Sequence, residues 1–269
     1  MSETATRRPL VDTHCHLVLL DERGLLDAAF ESATEAGVEQ IVSVGLNVED
    51  SDRNRLIAEA NDNVWFTVGW HPHEPKAPDA AELRALDELL SHPRAVAVGE
   101  IGIDLYFRAG YHETPFDEQQ RAMSAMLDLA AAHGKPVVVH DRDAHEEVLA
   151  ALTARPEVRG VMHCFSGDAD YAQRCVAAGM VVSFAGIITF ARSEPQQGAA
   201  RAVGDADYVV ETDSPFLAPV PHRGRPNLPG YVAATAAAVA ALRGVDEQTV
   251  RAQSTATARR LFGLPGADL

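Results

Sequence analysis

Short apolar, β-branched runs recur along the chain at Leu10 to Asp12, Gln40 to Val44, Val64 to Val68, Ala95 to Val98, Pro136 to Val139, Gly160 to Met162, Met180 to Phe184 and Tyr208 to Val210. Most are continuously apolar instead of alternating with polar residues, which is the pattern of strands buried on both faces of a parallel sheet. Between them the apolar residues switch to helical spacing. Leu25, Leu26, Ala29, Phe30, Ala33 and Ala36 mark one face and stop at Gly37, and Leu83, Leu86, Leu89 and Leu90 mark another ahead of Pro93. In the fourth crossover Thr114, Pro115 and Asp117 predict a cap, a first-turn proline and an acidic third position. They precede an apolar face of Phe116, Met123, Met126, Leu127 and Ala130 that runs to Gly134. The Pro- and Gly-rich stretch Pro215 to Gly230 reads as a loop, followed by helices over Tyr231 to Leu242 and Asp246 to Phe262, the second capped by Asp246 and stopped by Gly263.

Eight strand–helix alternations predict an α/β fold, a (β/α)8 TIM barrel with a metal site at the C-terminal face of the strands. An open dinucleotide-binding sheet is disfavoured, because no G-x-G-x-x-G follows the first strand. No linker or low-complexity tract interrupts the rhythm, so residues 1–269 read as one barrel domain with 1–9 as a flexible N-terminal tail. With 46% hydrophobic residues over this length, one large core is sufficient without staples. No apolar run approaches a bilayer span, the first residues lack the apolar core of a signal peptide, and Cys15, Cys164 and Cys175 cannot pair completely. A cytoplasmic monomer without membrane contact is expected.

Lysine and arginine total 23 against 39 aspartates and glutamates, a formal net charge of −16. This balance argues against nucleic-acid binding through a broad basic surface. It leaves a phosphate substrate open, since a few acidic groups around divalent cations reverse the field inside a cleft.

Side chains at the carboxyl ends of barrel strands converge on one face. The first strand ends with His14 and His16, the fourth with Glu100, the fifth with His140, the sixth with His163 and the eighth with Asp213. His14 and His16 face one side of an extended strand, with Cys15 opposite. Cys164 is displaced from His163 in the same way, so both cysteines are assigned to packing against the helices. A lone histidine after an apolar strand reads as a hydrogen-bonded core residue. A carboxylate there, as at Glu100 and Asp213, needs a partner or a cation to offset desolvation. Together these four histidines and two carboxylates predict one ligand set, sized for two divalent ions with one carboxylate between them.

These residues fall within V-D-T-H-C-H (Val11 to His16), G-x-H-P-H (Gly69 to His73), G-E-I-G-I-D (Gly99 to Asp104), V-H-D-R-D-A (Val139 to Ala144), H-C-F-S-G (His163 to Gly167) and E-T-D-S-P (Glu211 to Pro215). As an ordered set spanning Val11 to Phe262 they closely resemble the TatD family of metal-dependent hydrolases, within the amidohydrolase barrels. The resemblance implies a metal-dependent deoxyribonuclease, an exonuclease acting on DNA ends or on another phosphoester. It implies one ion on His14, His16 and Asp213, a second on His140 and His163, and Glu100 as the bridge, with zinc, magnesium or manganese as the metal. Lys135 precedes its strand, at the wrong end of the barrel to supply the modified lysine that bridges in many related barrels. Catalysis is then assigned to Glu100, to Asp213 as proton acceptor from the attacking water, and to His71, which resembles the family's phosphate-contacting histidine. His73, Tyr106, Arg108, Arg142, Arg223 and Arg225 are the candidate substrate contacts, Arg142 being suited to pair a phosphate bidentately. The eighth loop departs from many relatives: Pro221 to Gly230 reads P-H-R-G-R-P-N-L-P-G where they continue R-G-K-R-N-E-P. Arginine and asparagine are kept and Leu228 takes the acidic position, a departure that bears on substrate choice and not on hydrolysis.

Two other readings share these ligands. One is an amidohydrolase-type esterase, lactonase or aminoacyl-ester hydrolase with the same binuclear site; a substrate panel separates it from a nuclease. The other is a non-catalytic scaffold, marked by a single closed four-coordinate ion.

Overall fold

The computed structural model describes residues 7–107 and 110–266. Eight strands, β1 (Leu10–Cys15), β2 (Val38–Ser43), β3 (Val64–Val68), β4 (Ala95–Asp104), β5 (Val137–Arg142), β6 (Gly160–Met162), β7 (Met180–Phe184) and β8 (Tyr208–Val210), pair in sequence order, every neighbour parallel. The ring closes where Cys15 bridges to Ser214: the Asp213 N–H donates to His14 O (2.9 Å) and the His16 N–H to Ser214 O (2.7 Å). The helices are α1 (Leu17–Glu22), α2 (Leu26–Ala36), α3 (Val48–Ala60), α4 (Ala80–Leu90), α5 (Phe116–His133), α6 (His145–Thr153), α7 (Ala169–Ala177), α8 (Glu194–Ala202), α9 (Val232–Arg243) and α10 (Glu247–Phe262). Among the described residues, no helix is long and apolar enough to cross a membrane.

Alternation along the strands divides the apolar residues into two layers. Val11, Val42, Val138, Val161 and Val209 cluster with Ala258 and Phe262 of α10, which form the floor of the barrel. Their neighbours Leu10, Ile41, Val137, Val139, Met162 and Val210 belong to the larger core against the helices. The inward series continues upward in steps of two. Val138 leads to His140, Val161 to His163, and Val209 through Glu211 to Asp213, so an apolar floor gives way to a ligand-type mouth.

Two irregularities set this register. Between Val98 and Ile101 β4 advances three residues while β5 advances two, and β1 does the same against β2 between Asp12 and Cys15. Such bulges re-aim side chains, here at Glu100 and His14. Gly102 lies against β5 at φ +146°, and an added Cβ would sit 1.9 Å from His140 O, so the strands approach this closely only because residue 102 has no side chain.

Several expected boundaries shift. Glu100 lies within β4, which runs on to Asp104, and His16 stands just beyond β1 as the residue that opens α1. Thr114 does not cap α5: Pro115 occupies that position, and the Thr114 hydroxyl donates instead to Glu74 O at 3.0 Å. α2, α5 and α10 end as expected on left-handed Gly37, Gly134 and Gly263. Asp246 caps α10, accepting from the Thr249 N–H. Lys135 sits at the floor end, its Nζ donating to Ala95 O at the start of β4. Residues 1–6 lie outside the described residues. Arg8 and Pro9 are tied to α10, through the Arg8 N–H to Gln248 Oε1 (2.7 Å) and the Thr255 hydroxyl to Pro9 O (3.0 Å).

Candidate metal centre

The six ligand-type residues converge at the barrel mouth, at the base of a cavity of about 550 Å³. His14 Nε2 lies 3.3 Å from His16 Nε2 and 3.4 Å from Glu100 Oε2, and His16 Nε2 lies 3.3 Å from Asp213 Oδ1. On the other side of Glu100, Oε1 is 2.8 Å from His140 Nδ1 and 3.7 Å from His163 Nε2. Asp213 follows β8 at φ +60°, a left-handed turn that brings its carboxylate back over the first strand. His14, His16 and Asp213 form one group whose donor atoms lie within 4.8 Å of one another, and Glu100, His140 and His163 form another.

These donors suit a divalent cation. Two imidazole nitrogens face each other across 3.3 Å beside two carboxylates, while the far nitrogens of the same rings, His14 Nδ1 and His16 Nδ1, are buried without a hydrogen-bond partner among the described residues. Imidazole and carboxylate together are the donor set of zinc and related divalent ions. Glu100, with its side chain 2% exposed, is faced by five imidazoles, those of His14, His16, His71, His140 and His163.

The charges respond to this crowding. Burial alone would raise the Glu100 carboxyl, but His163, His71 and the other imidazoles outweigh it and hold the group well below its ordinary value. Asp213 is lowered in the same way, the bond to His16 overcoming burial. Burial lowers His14, whereas at His16 the Asp213 carboxylate wins and the imidazole is raised. Burial depresses His71 to about 4 despite Glu100. His140, buried but hydrogen-bonded to Asp104 and Glu100, is raised to about 9; His163, buried beside Glu211 and Glu100, is raised to about 10.

Two carboxylates that sequence reasoning passed over complete the centre. Glu211 Oε1 lies 2.8 Å from His163 Nδ1 and accepts the Cys164 N–H at 2.8 Å, while Oε2 accepts from the Ser183 hydroxyl. Asp104 Oδ2 meets His140 Nε2 at 3.1 Å and His73 Nε2 at 2.9 Å. Burial would raise Asp104, but those bonds outweigh it and hold the carboxyl far below its usual range. Their signal was present in the motifs. Glu211 shares the inward face with Asp213 two residues on, and Asp104 ends the same strand as Glu100. At the seam, Asp12 accepts from the Thr212 N–H (2.8 Å) and hydroxyl (2.6 Å).

The remaining candidates are spread more widely. His71 Nε2 lies 3.4 Å from Glu100 Oε1, and its Nδ1 accepts the His73 N–H at 3.1 Å. Arg142 lines the cavity, its guanidinium 4.0 Å over the Tyr106 ring and bonded to the Tyr111 hydroxyl at 2.8 Å. Tyr106 therefore acts on the mouth through Arg142. Arg223 stacks 3.8 Å over Phe190 and Arg225 is exposed; neither lines the cavity. Arg108 lies outside the described residues. Cys15 is buried in the helix-facing core as expected. Cys164 is not: at φ +41° the chain turns beyond β6 and the residue lines the cavity.

Comparison with known proteins fits this geometry. The model of the family described as TatD related DNase matches residues 11–263. A protein of Escherichia coli K12 named "Uncharacterized metal-dependent hydrolase YcfH" is 36% identical over 266 residues, covering 97% of this chain and 98% of that protein. The "3'-5' ssDNA/RNA exonuclease TatD" of Klebsiella pneumoniae is 34% identical over 245 residues, covering 88% of this chain and 92% of that one. Among solved structures, the TatD homologue YJJV of Escherichia coli K12 superposes with a TM-score of 0.88 at 28% identity, covering 95% and 98% of the two chains. A match along almost the whole chain, with the histidines and acids of the motifs gathered at one barrel mouth, places this chain in the TatD-related DNase family.

Proposed function

We propose that this protein is a divalent-metal-dependent phosphodiesterase that removes nucleotides from the ends of single-stranded DNA. The observation that carries the reading is the pair of three-donor groups, His14–His16–Asp213 and Glu100–His140–His163, side by side in one accessible cavity. His14, His16 and Asp213 would hold one ion, His140 and His163 a second, and Glu100 would bridge them. Such ions, when bound, would supply an acidified water and charge neutralisation for the attacking and leaving oxygens of a phosphodiester. The name of the Klebsiella relative supports a single strand, attacked from its 3' end, as the substrate.

The protein's own groups supply orientation and proton handling. Asp213 lines the cavity, with Oδ1 beside His16 Nε2, and is the proton acceptor for the attacking water. His71 is held neutral at about 4, and because its Nδ1 accepts the His73 N–H, its proton resides on Nε2. That N–H donates to a non-bridging phosphate oxygen. Arg142, fixed between Tyr106 and Tyr111, pairs with a second oxygen. Phe216, 43% exposed at the cavity rim, and Tyr111, 40% exposed, offer faces for base stacking, which needs no basic groove and so suits a chain of net charge −16.

The test is hydrolysis of a labelled single-stranded oligonucleotide with added divalent metal. Wild-type protein shortens it stepwise and Glu100→Ala protein, correctly folded by circular dichroism, does not. Undiminished degradation by that variant overturns the reading, as does far faster turnover of lactones or aminoacyl esters than of DNA.

A further inference from the structure

A single hydroxyl, that of Tyr111, touches both the arginine of the cavity wall and the carboxylate behind His140. Asp104 and Arg142 are paired neighbours at the ends of β4 and β5, and His140 lies two residues before Arg142 on the same inward face. Tyr111, from the loop between β4 and α5, reaches over this corner. Its oxygen is 2.8 Å from Arg142 Nη1 and 3.2 Å from Asp104 Oδ2, and the same Oδ2 is 3.1 Å from His140 Nε2. Asp104 is itself clasped. Its N–H donates to Gln119 Oε1 (2.7 Å), the Gln119 amide donates to its carbonyl (3.1 Å), and its Oδ1 accepts the Tyr106 N–H (2.9 Å).

The groups at the two ends fix the direction of this chain. A guanidinium only donates, so the Tyr111 oxygen accepts from Arg142 and its own proton goes to Asp104. A carboxylate only accepts, so His140 directs its Nε2 proton to Asp104, and Nδ1, 2.8 Å from Glu100 Oε1, is the nitrogen turned toward the ligand set. Among the described residues the Tyr111 hydroxyl is the only hydrogen-bond partner of the Arg142 side chain. The Tyr106 and Tyr111 rings, 4.0 and 5.0 Å from the guanidinium, hold it by their faces and leave its rotation to that one bond. We propose that Tyr111 is a positioning residue whose hydroxyl sets both Arg142 for phosphate and, through Asp104, His140 for its ion. The inference rests on the proposed roles of Arg142 and His140. Its two arms are unequal: without the hydroxyl Arg142 keeps no polar partner there, whereas Asp104 keeps His140, His73 Nε2 (2.9 Å) and the Tyr106 N–H.

The experiment removes one oxygen and keeps the ring. Thymidine monophosphate is titrated by calorimetry into zinc-saturated wild-type and Tyr111→Phe protein. Zn2+ affinity is measured separately, without nucleotide, by competition with a chromophoric chelator. The variant should bind the nucleotide about tenfold more weakly, as for loss of a hydrogen bond from a charged group, and Zn2+ about threefold more weakly, as for a neutral one. Arg142→Ala should also weaken the nucleotide, and adding Tyr111→Phe to it should weaken it no further, because Tyr111 acts on phosphate through Arg142. Wild-type affinity of Tyr111→Phe protein for either probe overturns the proposal, as do additive losses in the double variant. These outcomes leave the proposed function standing. Wild-type protein that takes up Zn2+ but no nucleotide overturns the phosphate role of Arg142, and the proposed function falls together with this inference.

Discussion

Glu211 offers the sharpest test of how the second proposed ion is held. Its carboxylate only accepts, so the Nδ1 that lies 2.8 Å away must carry the His163 proton, leaving the Nε2 lone pair for a metal. That Nε2 faces the centre, 3.7 Å from Glu100 and 3.9 Å from Asp213, and the ring is braced by a stack on His14 at 3.4 Å. Glu211→Gln keeps an acceptor for the Cys164 N–H and for His163, with its amide group turned to the Ser183 hydroxyl. Only the charge is lost. A hydrogen bond to a charged group contributes about 1.5–3 kcal/mol and a neutral one about 0.5–1.5. The difference of roughly 1.4 kcal/mol corresponds to a tenfold weaker metal affinity. Glu211→Ala removes the bonds from Cys164 and Ser183 and the carboxylate 2.8 Å from His163 Nδ1, freeing the ring to tautomerise, which should approach the hundredfold end of the range for such supporting groups. The assay is oligonucleotide hydrolysis in metal buffers. The half-saturating metal concentration should rise about tenfold and then about a hundredfold across the pair, with turnover at saturating metal nearly preserved. Wild-type metal dependence in Glu211→Ala protein, or a loss confined to turnover at saturating metal, would falsify the argument.

Four further outcomes follow from the same geometry. With His140 raised to about 9 and His163 to about 10, both are protonated in metal-free protein at neutral pH. Metal uptake should therefore release protons and tighten as pH rises toward 9, measured by calorimetry in buffers of different ionisation enthalpy; release of none contradicts the assignment. The same raised values stabilise the metal-free fold fully below about pH 6.5, the unfolded histidine value, and this contribution fades as pH climbs through 9 to 10. Thermal melts of stripped protein should decline across that window, and a rising melting temperature would speak against it. Chelation should abolish hydrolysis while leaving far-UV circular dichroism unchanged, because the floor and helix-facing cores lie away from the mouth; loss of secondary structure would show that the metal holds the fold. Asp12→Ala removes both bonds to Thr212 and strands a buried N–H, a cost of about 3 kcal/mol, or roughly 6–12 °C in melting temperature for a domain of this size. A shift under about 2 °C on that scale would deny the seam its role.

The barrel was legible because its rhythm is local: each buried strand is a short apolar run, and α2, α5, α9 and α10 each stop on a left-handed glycine. The ligand set was legible for a related reason. His140, His163 and Asp213 continue the inward alternation of the valines beneath them, so position along a strand predicts direction. Where the backbone breaks that alternation, the ends of β1 and β4 and the side taken by Cys164 differ from the reading, although His14 and Glu100 lie where it put them. Bulges at His14 and Glu100 and the left-handed turn at Cys164 depend on how neighbouring strands fit, and no run of residues announces them. Asp104 and Glu211 were passed over because their meaning lies in partners from other strands and loops. A buried carboxylate looks the same in sequence whether it orients a histidine or binds nothing. Arg223 shows the converse, a basic loop residue that reads as a phosphate contact and instead stacks on Phe190.

The joining of the first strand to the last has a consequence for biosynthesis. His14 and His16 leave the ribosome early, but Asp213, their common neighbour, is added only when four-fifths of the chain exists, and the two are brought together by the backbone bonds at Ser214 and His14. A nascent or prematurely terminated polypeptide thus holds an incomplete trio and cannot retain the first ion as proposed. The proposed hydrolysis would arise only in chains whose first and last strands have joined.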